Sequence, residues 1–336
     1  MATDVVALVE SPAQLLNVIE WAHQDPSGQQ AVVLVLAPVN PASRDQLRRV
    51  GDLAAGSGLD VRWCEVRRGR FGRAAALRAV AALVRRAQVL VLGDPFSGLV
   101  EFFVTLTRAP RLVVVDDGSA TVEFVQLLES GSRLVRWHLQ GRRALPRPVA
   151  AAALDTLRGA DLELFTVMPV HDSSVVRCRT NDYAWTRATN ASPVVQPGAD
   201  LVGTSLVESG VVTEYAYLRA VADLAAAYQG KHYLAHRRES DAKLRLVERT
   251  GLEVVRPELP LELLARRGPV AETLISFPST IVHTLPVVLQ GLGVELMVCD
   301  VRDDWLTAHA SPNSASFLTG VTASARRQHK LGTAYA

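Results

Sequence analysis

Two adjacent carboxylates at the end of an apolar run are the first residues of the sequence that suggest chemistry. Asp116 and Asp117 follow the β-branched run 113–115 and precede Gly118 and Ser119. A helix cap explains one carboxylate, with the glycine making the turn, and leaves the second without a role. Two neighbouring negative charges raise the pKa of one of them. Since no His or Cys stands close in the sequence, a proton-accepting carboxylate is favoured over a metal ligand.

A second cluster combines a histidine with charged residues after another apolar run. Taken alone, such a cluster is most often a solvated loop. Cations beside a helix N-terminus also form a phosphate site, and histidine suits proton transfer to a leaving phosphate near neutral pH. The cluster comprises His236, Arg237, Arg238 and Glu239, with Ser240 placed to cap the next helix.

Three short polar segments complete the candidates. Ser279 and Thr280 precede a helical segment that contains His283; they could be ordinary caps or donors to a phosphate, and His283 is expected to be packed. The segment Gly203, Thr204 and Ser205 closes a strand and is a weak phosphate signal, because its spacing matches neither common phosphate loop. Ser11 caps a helix with Pro12 at its first position, which places Gln14 in the first turn.

The elements that must position these residues alternate regularly along the chain. Continuous apolar runs separated by helical patterns predict strands buried on both faces, as in a parallel sheet. Five such repeats fill residues 1–130, and the alternation returns from about residue 199. Residues 131–198 are predicted to be irregular structure with a short helix and a linker, and the C-terminal tail a helix followed by a frayed end. We therefore predict Rossmann-like domains over residues 1–190 and 191–336.

Two such α/β domains would face each other across a cleft at the carboxyl ends of their strands, where ligands bind in open sheets. This is the layout of GT-B glycosyltransferases, and several binding proteins and epimerases share it.

Composition excludes several classes of protein. The 336 residues are 49% hydrophobic and 21% charged, as expected of a folded chain, and the net charge of +2 does not indicate nucleic acid as a partner. Cys64, Cys178 and Cys299 form no CxxC pair, so neither a disulfide framework nor a zinc site is indicated. Without a signal-peptide pattern or a long apolar run, we expect a cytoplasmic location.

Taken in this order, the motifs resemble those of bacterial sialyltransferases, most closely the polysialyltransferase-like family. The family's Ser-Pro-x-Gln motif resembles Ser11, Pro12 and Gln14, and its acidic-acidic-Gly motif resembles Asp116, Asp117 and Gly118. Its histidine motif resembles His236, and its paired hydroxyls resemble Ser279 and Thr280. The resemblance covers roughly residues 4–300. Arg237 stands where the family has a proline, whose role is in the backbone.

The resemblance implies an inverting, metal-independent transferase with no cofactor. Its donor would be a CMP-activated sialic acid or related nonulosonic acid, and its acceptor a glycan or glycolipid. Asp117 would be the base, with Asp116 orienting it or exchanging roles, and His236 would assist the departing phosphate. The residues expected to contact substrate are Ser11, Gln14, Gly118, Gly203, Thr204, Ser205, Arg237, Glu239, Ser279 and Thr280.

Two other hypotheses remain open. One is a sugar-nucleotide epimerase or a GT-B transferase that uses a UDP- or GDP-sugar. The other is a nucleotide- or glycan-binding protein without turnover. Arginines also cluster in the first domain, where they form a solvated surface or a basic track for an anionic oligosaccharide or the inner face of a membrane. They are Arg67, Arg68, Arg70, Arg73, Arg78, Arg85, Arg86, Arg133, Arg136, Arg142, Arg143 and Arg147.

Overall fold

The computed structural model describes residues 4–67, 70–118, 120–136, 146–311 and 314–336. The chain divides into two compact units, Met1–Trp185 and Thr186–Ala336, whereas the sequence placed the boundary between residues 190 and 191. In the described ranges, no helix is both long enough and apolar enough to span a bilayer.

The N-terminal unit contains a parallel sheet with the strand order β3-β2-β1-β4-β5-β6-β7. Its strands are β1 Val5–Val9, β2 Val32–Leu36, β3 Asp60–Cys64, β4 Val89–Leu92, β5 Arg111–Val115, β6 Asp161–Thr166 and β7 Arg177–Thr180. Its helices are α1 Pro12–Gln24, α2 Pro41–Gly56, α3 Arg70–Val84, α4 Gly98–Val104, α5 Ala120–Glu129 and α6 Arg147–Gly159. Helix α7, Ala184–Thr189, crosses the boundary between the units.

The central strands of this sheet are buried along their whole length because their residues are almost all aliphatic. Every residue of β1, β2 and β4 is buried, so both faces of these strands are covered. The strand order reverses between β1 and β4, which pair through Leu8 and Leu92. The carboxyl ends of these two strands form the switch point of the sheet, the usual ligand position in doubly wound folds.

The predicted irregular linker at 131–198 is wrong, because this segment contains α6, β6, β7 and α7. Strand β6 is difficult to recognise since it carries charged residues. Glu163 lies buried in it and accepts hydrogen bonds from Arg111 at 2.7 Å and from Arg179 at 2.9 Å. Strand β7 is an edge strand with a polar sequence, so neither strand shows the continuous apolar run that marked the others.

The C-terminal unit has a second parallel sheet, with the order β10-β9-β8-β11-β12-β13. Its strands are β8 Val195–Val202, β9 Gly230–Leu234, β10 Glu253–Val255, β11 Val270–Ser276, β12 Glu295–Cys299 and β13 Gly332–Ala334. Its remaining helices are α8 Glu214–Tyr228, α9 Asp241–Glu248, α10 Leu261–Arg267, α11 Ile281–Val288 and α12 Ser314–His329. The order reverses between β8 and β11, where Val202 pairs with Ser276.

The C-terminal tail differs from its prediction at one end. Helix α12 is the expected closing helix, but the residues after it are not a frayed end. They form β13, in which Gly332 pairs with Met297 and Ala334 pairs with Cys299 of β12. The short strand completes the sheet by covering one side of β12.

Candidate functional site

The switch point of the N-terminal unit collects polar side chains from the ends of three neighbouring strands. Glu10 and Ser11 follow β1, Asp94 follows β4, and Asp116 and Asp117 follow β5. Because parallel strands end at the same edge of a sheet, residues far apart in the sequence are brought together here. Three of these five residues belong to the predicted motifs.

The two predicted aspartates differ sharply in their surroundings. Asp116 is 1% exposed, and its carboxylate accepts hydrogen bonds from the Thr121 and Thr166 hydroxyls at 2.9 and 2.5 Å and from the Val167 N–H at 2.6 Å. Burial raises the pKa of Asp116 to about 6, against these hydrogen bonds, which lower it. Its carboxylate thus links the ends of β5 and β6 to α5 through hydrogen bonds. Both of its oxygen atoms already accept hydrogen bonds from other residues of the protein.

Asp117 is less enclosed than Asp116, with 17% of its side chain exposed. Its Oδ1 accepts a hydrogen bond of 2.8 Å from Gln14 Nε2, and its Oδ2 pairs with Arg136. Gly118 adopts a positive φ of 75°, which a side chain would strain, and this turn leads from Asp117 into α5. Ser119 lies outside the described residues.

Gln14 links the first predicted motif to the second. Ser11 caps α1 by accepting a hydrogen bond from the Gln14 N–H at 3.3 Å, with Pro12 in the first turn, as the sequence indicates. The Gln14 Oε1 atom accepts from the Glu10 N–H at 2.8 Å, which turns its amide group toward Asp117. A Cβ atom at Gly93 would lie 2.6 Å from Gln14 Oε1, so only glycine leaves room for this side chain.

Two further charged residues lie at this site: Asp94, which the sequence motifs did not include, and Arg136, which was named only as a member of the arginine cluster. Asp94 Oδ2 lies 2.9 Å from Arg136 Nη2, the guanidinium that also pairs with Asp117. Burial, followed by the charge of Asp117, raises the pKa of Asp94 to about 7. The signal was present in the sequence, since Asp94 follows the apolar run of β4 as Asp116 follows that of β5. Nothing in the sequence indicated that Arg136 would reach either of them.

The switch point of the C-terminal unit is built on glycine. A Cβ atom at Gly203 would collide with Glu239 Oε2 and lie 2.8 Å from the Tyr233 ring. The Thr204 N–H donates to Tyr217 Oη at 3.2 Å. The Thr204 hydroxyl is buried and has no partner within the described residues, which is unusual for a buried polar atom. Ser205 is half-buried at the start of the following turn.

A buried ion pair between Lys243 and Glu239 contacts the turn at Thr204. Lys243 and Glu239 have fully buried side chains, and Nζ lies 2.8 Å from Oε1. The same Lys243 Nζ donates to the Thr204 carbonyl at 3.0 Å, and Tyr233 Oη donates to Glu239 Oε1 at 2.6 Å. Glu239 Oε2 accepts from the His236 N–H at 2.6 Å. Protein donors therefore engage both oxygens of Glu239. The sequence analysis had expected this residue to contact the substrate.

His236 follows β9 and is half-buried. Its Nδ1 accepts a hydrogen bond from the Arg238 N–H at 3.2 Å, which places the ring proton on Nε2. Burial, then the charges of Arg237, Arg238 and Lys243, lowers the pKa of His236 to about 3. The ring is consequently neutral near pH 7 and presents an N–H donor, beside a half-buried Arg237.

The paired hydroxyls lie at the other side of this switch point. Ser279 and Thr280 follow β11 and are half-buried, and Thr280 precedes the first residue of α11. Ser279 Oγ is 3.4 Å from Ser276 Oγ. His283 is fully buried, with Nε2 3.2 Å from Ser324 Oγ and Nδ1 3.3 Å from Gln328 Oε1, which agrees with the packed role expected of it.

The arginines of the cluster fall into a paired group and an exposed group. Arg67 lies 2.5 Å from Glu10 and donates to the Leu36 carbonyl at 2.6 Å, and Arg136 pairs with the aspartates, so these two are not solvated surface residues. The exposed members are Arg73, Arg78, Arg85, Arg86, Arg133 and Arg147. Arg68, Arg142 and Arg143 lie outside the described residues.

No group of three or more His, Cys, Asp or Glu residues in the described ranges is arranged to hold a metal ion.

No protein-family model matches the chain, and no curated protein does. Solved structures do match. The chain is similar to an alpha/beta-galactoside alpha-2,3-sialyltransferase from the luminous marine bacterium Photobacterium phosphoreum, with 10% identity and a TM-score of 0.51 over 98% of this chain and 97% of that one. It is also similar to a candidate UDP-N-acetylglucosamine 2-epimerase from Listeria monocytogenes, with 10% identity and a TM-score of 0.52 over 100% of this chain and 93% of that one.

Likeness at 10% identity establishes the fold and nothing finer. The chain has the GT-B fold of two Rossmann-like domains, as the alternation of its elements predicted.

Proposed function

We propose that the protein is an inverting glycosyltransferase that moves sialic acid or a related nonulosonic acid from a CMP-activated donor to a hydroxyl of a glycan or glycolipid. One observation carries the proposal. The hydrogen bond from Gln14 to Asp117 joins the first two motifs of the sialyltransferase resemblance across 103 residues of sequence. It fixes the direction of a partly exposed aspartate at the switch point of the N-terminal unit.

In this mechanism Asp117 is the base. The acceptor hydroxyl attacks the anomeric carbon while its proton passes to the Asp117 carboxylate. Attack on the side opposite the phosphate inverts the configuration. Gln14 fixes the direction of the Asp117 side chain, and Asp116 fixes the backbone beneath it through Thr121, whose hydroxyl donates to Asp116 and accepts from the Asp117 N–H at 3.3 Å.

The C-terminal unit would hold the nucleotide and stabilise its departure. Gly203 would let the backbone approach the ligand, and the Thr204 hydroxyl, which has no partner among the described residues, would supply a donor. His236 Nε2–H donates to the phosphate as the bond to the sugar breaks. Burial and three nearby cations lower the pKa of His236, and the charge of a bound phosphate would offset the cations, raise this pKa and favour protonation of the ring.

Ser205, Ser279, Thr280 and Arg237 are the remaining candidates for phosphate or sugar contacts. Ser279 and Thr280 lie at the start of α11, where hydroxyl and backbone donors favour an anion. Gly118 and Ser11 would shape the acceptor side through the backbone turns that they form.

We further propose that the reaction needs no metal ion, because hydroxyl and imidazole hydrogen bonds, together with a guanidinium charge, would stabilise the phosphate. Activity is expected to persist in excess EDTA. A matched assay with added magnesium or manganese is the control. Complete loss with the chelator, restored by either metal, would contradict this part of the mechanism.

The similarity to the candidate 2-epimerase favours a second function, that of a sugar-nucleotide epimerase, and a GT-B transferase that uses a UDP- or GDP-sugar is the related alternative. Thermal unfolding with CMP, UDP and GDP distinguishes the two. A ligand present at 100 times its Kd adds about 2.7 kcal/mol to the free energy of unfolding. We expect CMP to raise the Tm and UDP and GDP to raise it far less. Equal or greater stabilisation by UDP or GDP would remove the sialyltransferase assignment. CMP binding without transfer would favour a non-catalytic binding protein.

A further inference from the structure

One guanidinium serves two carboxylates at the switch point of the N-terminal unit. Arg136 Nη2 pairs with Asp117 and lies 2.9 Å from Asp94 Oδ2. Its guanidinium also packs over the ring of Phe96, with 5.2 Å between Cζ and the ring centroid. Only 23% of the arginine side chain is exposed, so the cation is held between the two acids and the ring.

Asp94 is held in place by its own turn. The Phe96 N–H donates to Asp94 Oδ1 at 2.8 Å, which leaves Oδ2 directed at the guanidinium. The charged groups around it are Asp117, Arg136 and, further away, Glu10. Glu10 is itself paired with Arg67 at 2.5 Å and accepts from the Ser97 hydroxyl at 2.9 Å. Asp94 is therefore a fixed second partner for Arg136.

We propose that Asp94 is a positioning residue for the reaction, acting on Asp117 through the Arg136 guanidinium that the two carboxylates share. The inference rests on the proposed function, in which Asp117 takes the proton of the acceptor hydroxyl. Before that step, Arg136 faces two acids. After it, the O–H bond of the acceptor has been replaced by an O–H bond on Asp117, and Asp94 supplies the negative charge that the guanidinium still needs.

This arrangement avoids a largely buried, unpaired cation at the moment of proton transfer, a state that is costly in a protein interior. Asp94 is suited to the task because its charge responds to its neighbour. Its pKa is raised to about 7 by burial and then by the Asp117 charge. Neutralising Asp117 removes the second of these causes and favours the ionised form of Asp94.

The coupling can be measured without any turnover. In the full chain labelled with 13C-aspartate, the carboxyl resonance that disappears in Asp94→Asn is expected to titrate near pH 7. Asp117→Asn is expected to lower this midpoint, because a like charge is removed. Arg136→Gln is expected to raise it by about 1–3 pH units, because an opposite charge is removed. Asp45→Asn, at an exposed carboxylate, is the control and leaves it unchanged.

Transfer assays then test the role itself. Asp94→Asn is expected to lower kcat about 100-fold while KM for the donor stays within about twofold, as for a misplaced catalytic group. Asp94→Glu, which keeps the charge, is expected to recover part of the rate. Circular dichroism and CMP binding establish that each variant is folded.

The outcomes separate this inference from the function on which it rests. A midpoint unmoved by both Asp117→Asn and Arg136→Gln, or an unchanged kcat in Asp94→Asn, would overturn the role of Asp94 even if CMP binds and transfer proceeds. Stabilisation by UDP in place of CMP would remove the proposed donor and leave the measured coupling intact.

Discussion

At the scale of single residues, burial separates two aspartates that are neighbours in the sequence. The sequence predicted the pair, and it could not show which carboxylate would be enclosed. Two of the groups that enclose Asp116 lie some fifty residues away: Thr166 ends a strand that the sequence pattern did not reveal, and Val167 follows it. Asp117 points away from them and meets Gln14, a residue that the first motif had singled out.

This separation predicts opposite effects for two matched substitutions. Asp117→Asn removes the proposed base and is expected to lower transfer about 10²–10⁴-fold with little change in stability or CMP binding. Asp116→Asn places an amide among three hydrogen-bond donors. It is expected to lower the free energy of unfolding by about 1–3 kcal/mol.

Enzyme kinetics and urea unfolding on both variants provide the measurement. Near-normal turnover in Asp117→Asn would place the base elsewhere. Unchanged stability in Asp116→Asn would mean that the enclosed carboxylate contributes nothing through these hydrogen bonds.

The position of Asp94 could be predicted from the sequence, and the contacts of Arg136 could not. Asp94 follows a strand in the same way as Asp116, so the sequence contained its signal. Arg136 lies after α5, and the described residues 131–136 around it form no strand or helix. Only the folded chain brings its guanidinium between two carboxylates, because side-chain reach and loop path have no periodic signature in sequence.

At the scale of elements, each unit places its candidate residues at the point where strand order reverses. The aliphatic strands were predicted because their continuous apolar runs reflect burial on both faces. Strands β6 and β7 were missed because charged residues interrupt their apolar residues: Glu163, buried in β6, pairs with Arg111 and with Arg179 of β7. β13 was missed because three small residues at the end of a chain carry no pattern.

Helix α9 offers a test of how an element supports the turn before it. Lys243 on α9 pairs with Glu239 in full burial and holds the Thr204 carbonyl. Lys243→Met leaves Glu239 as an uncompensated buried charge and is expected to cost about 3–5 kcal/mol. It should also weaken CMP binding, since the turn at Thr204 loses its anchor.

The matched control is Lys231→Met, which removes an exposed lysine on β9. Urea unfolding and CMP titration on both variants give the comparison. Equal stability of the two would show that the buried pair does not hold the turn.

At the scale of the whole molecule, the raised pKa values of Asp94 and Asp116 link stability to pH. Their ordinary value is 3.8, and they stand at about 7 and about 6 in the folded chain. At pH values between the ordinary and the raised pKa, the folded state binds more protons than the unfolded state. The contribution of these two aspartates to stability therefore falls as pH rises from about 4 to about 7.

Asp94→Asn removes one of these two contributions. Relative to the wild type, the variant is therefore expected to gain stability as pH rises through this window, by at most about 1.4 kcal/mol per pH unit. Urea unfolding between pH 5 and pH 8 measures the difference, with Asp45→Asn as the control. A difference that stays constant with pH would contradict the prediction.

The exposed arginines of the N-terminal unit act at the scale of the whole surface, and under the proposed function they predict a preference for anionic acceptors. Arg73 and Arg78 lie on α3, and Arg85 and Arg86 follow it directly, all four exposed. Each exposed contact with an anionic acceptor contributes little alone and weakens with salt, so the test must change all four to glutamine.

The control replaces four exposed arginines of the C-terminal unit, namely Arg219, Arg245, Arg249 and Arg327. At low salt, the first variant should lose rate on a long anionic oligosaccharide and keep it on a short acceptor, with CMP binding unchanged. The control should lose neither. Equal rates on both acceptors at every salt concentration would leave these arginines as solvated surface.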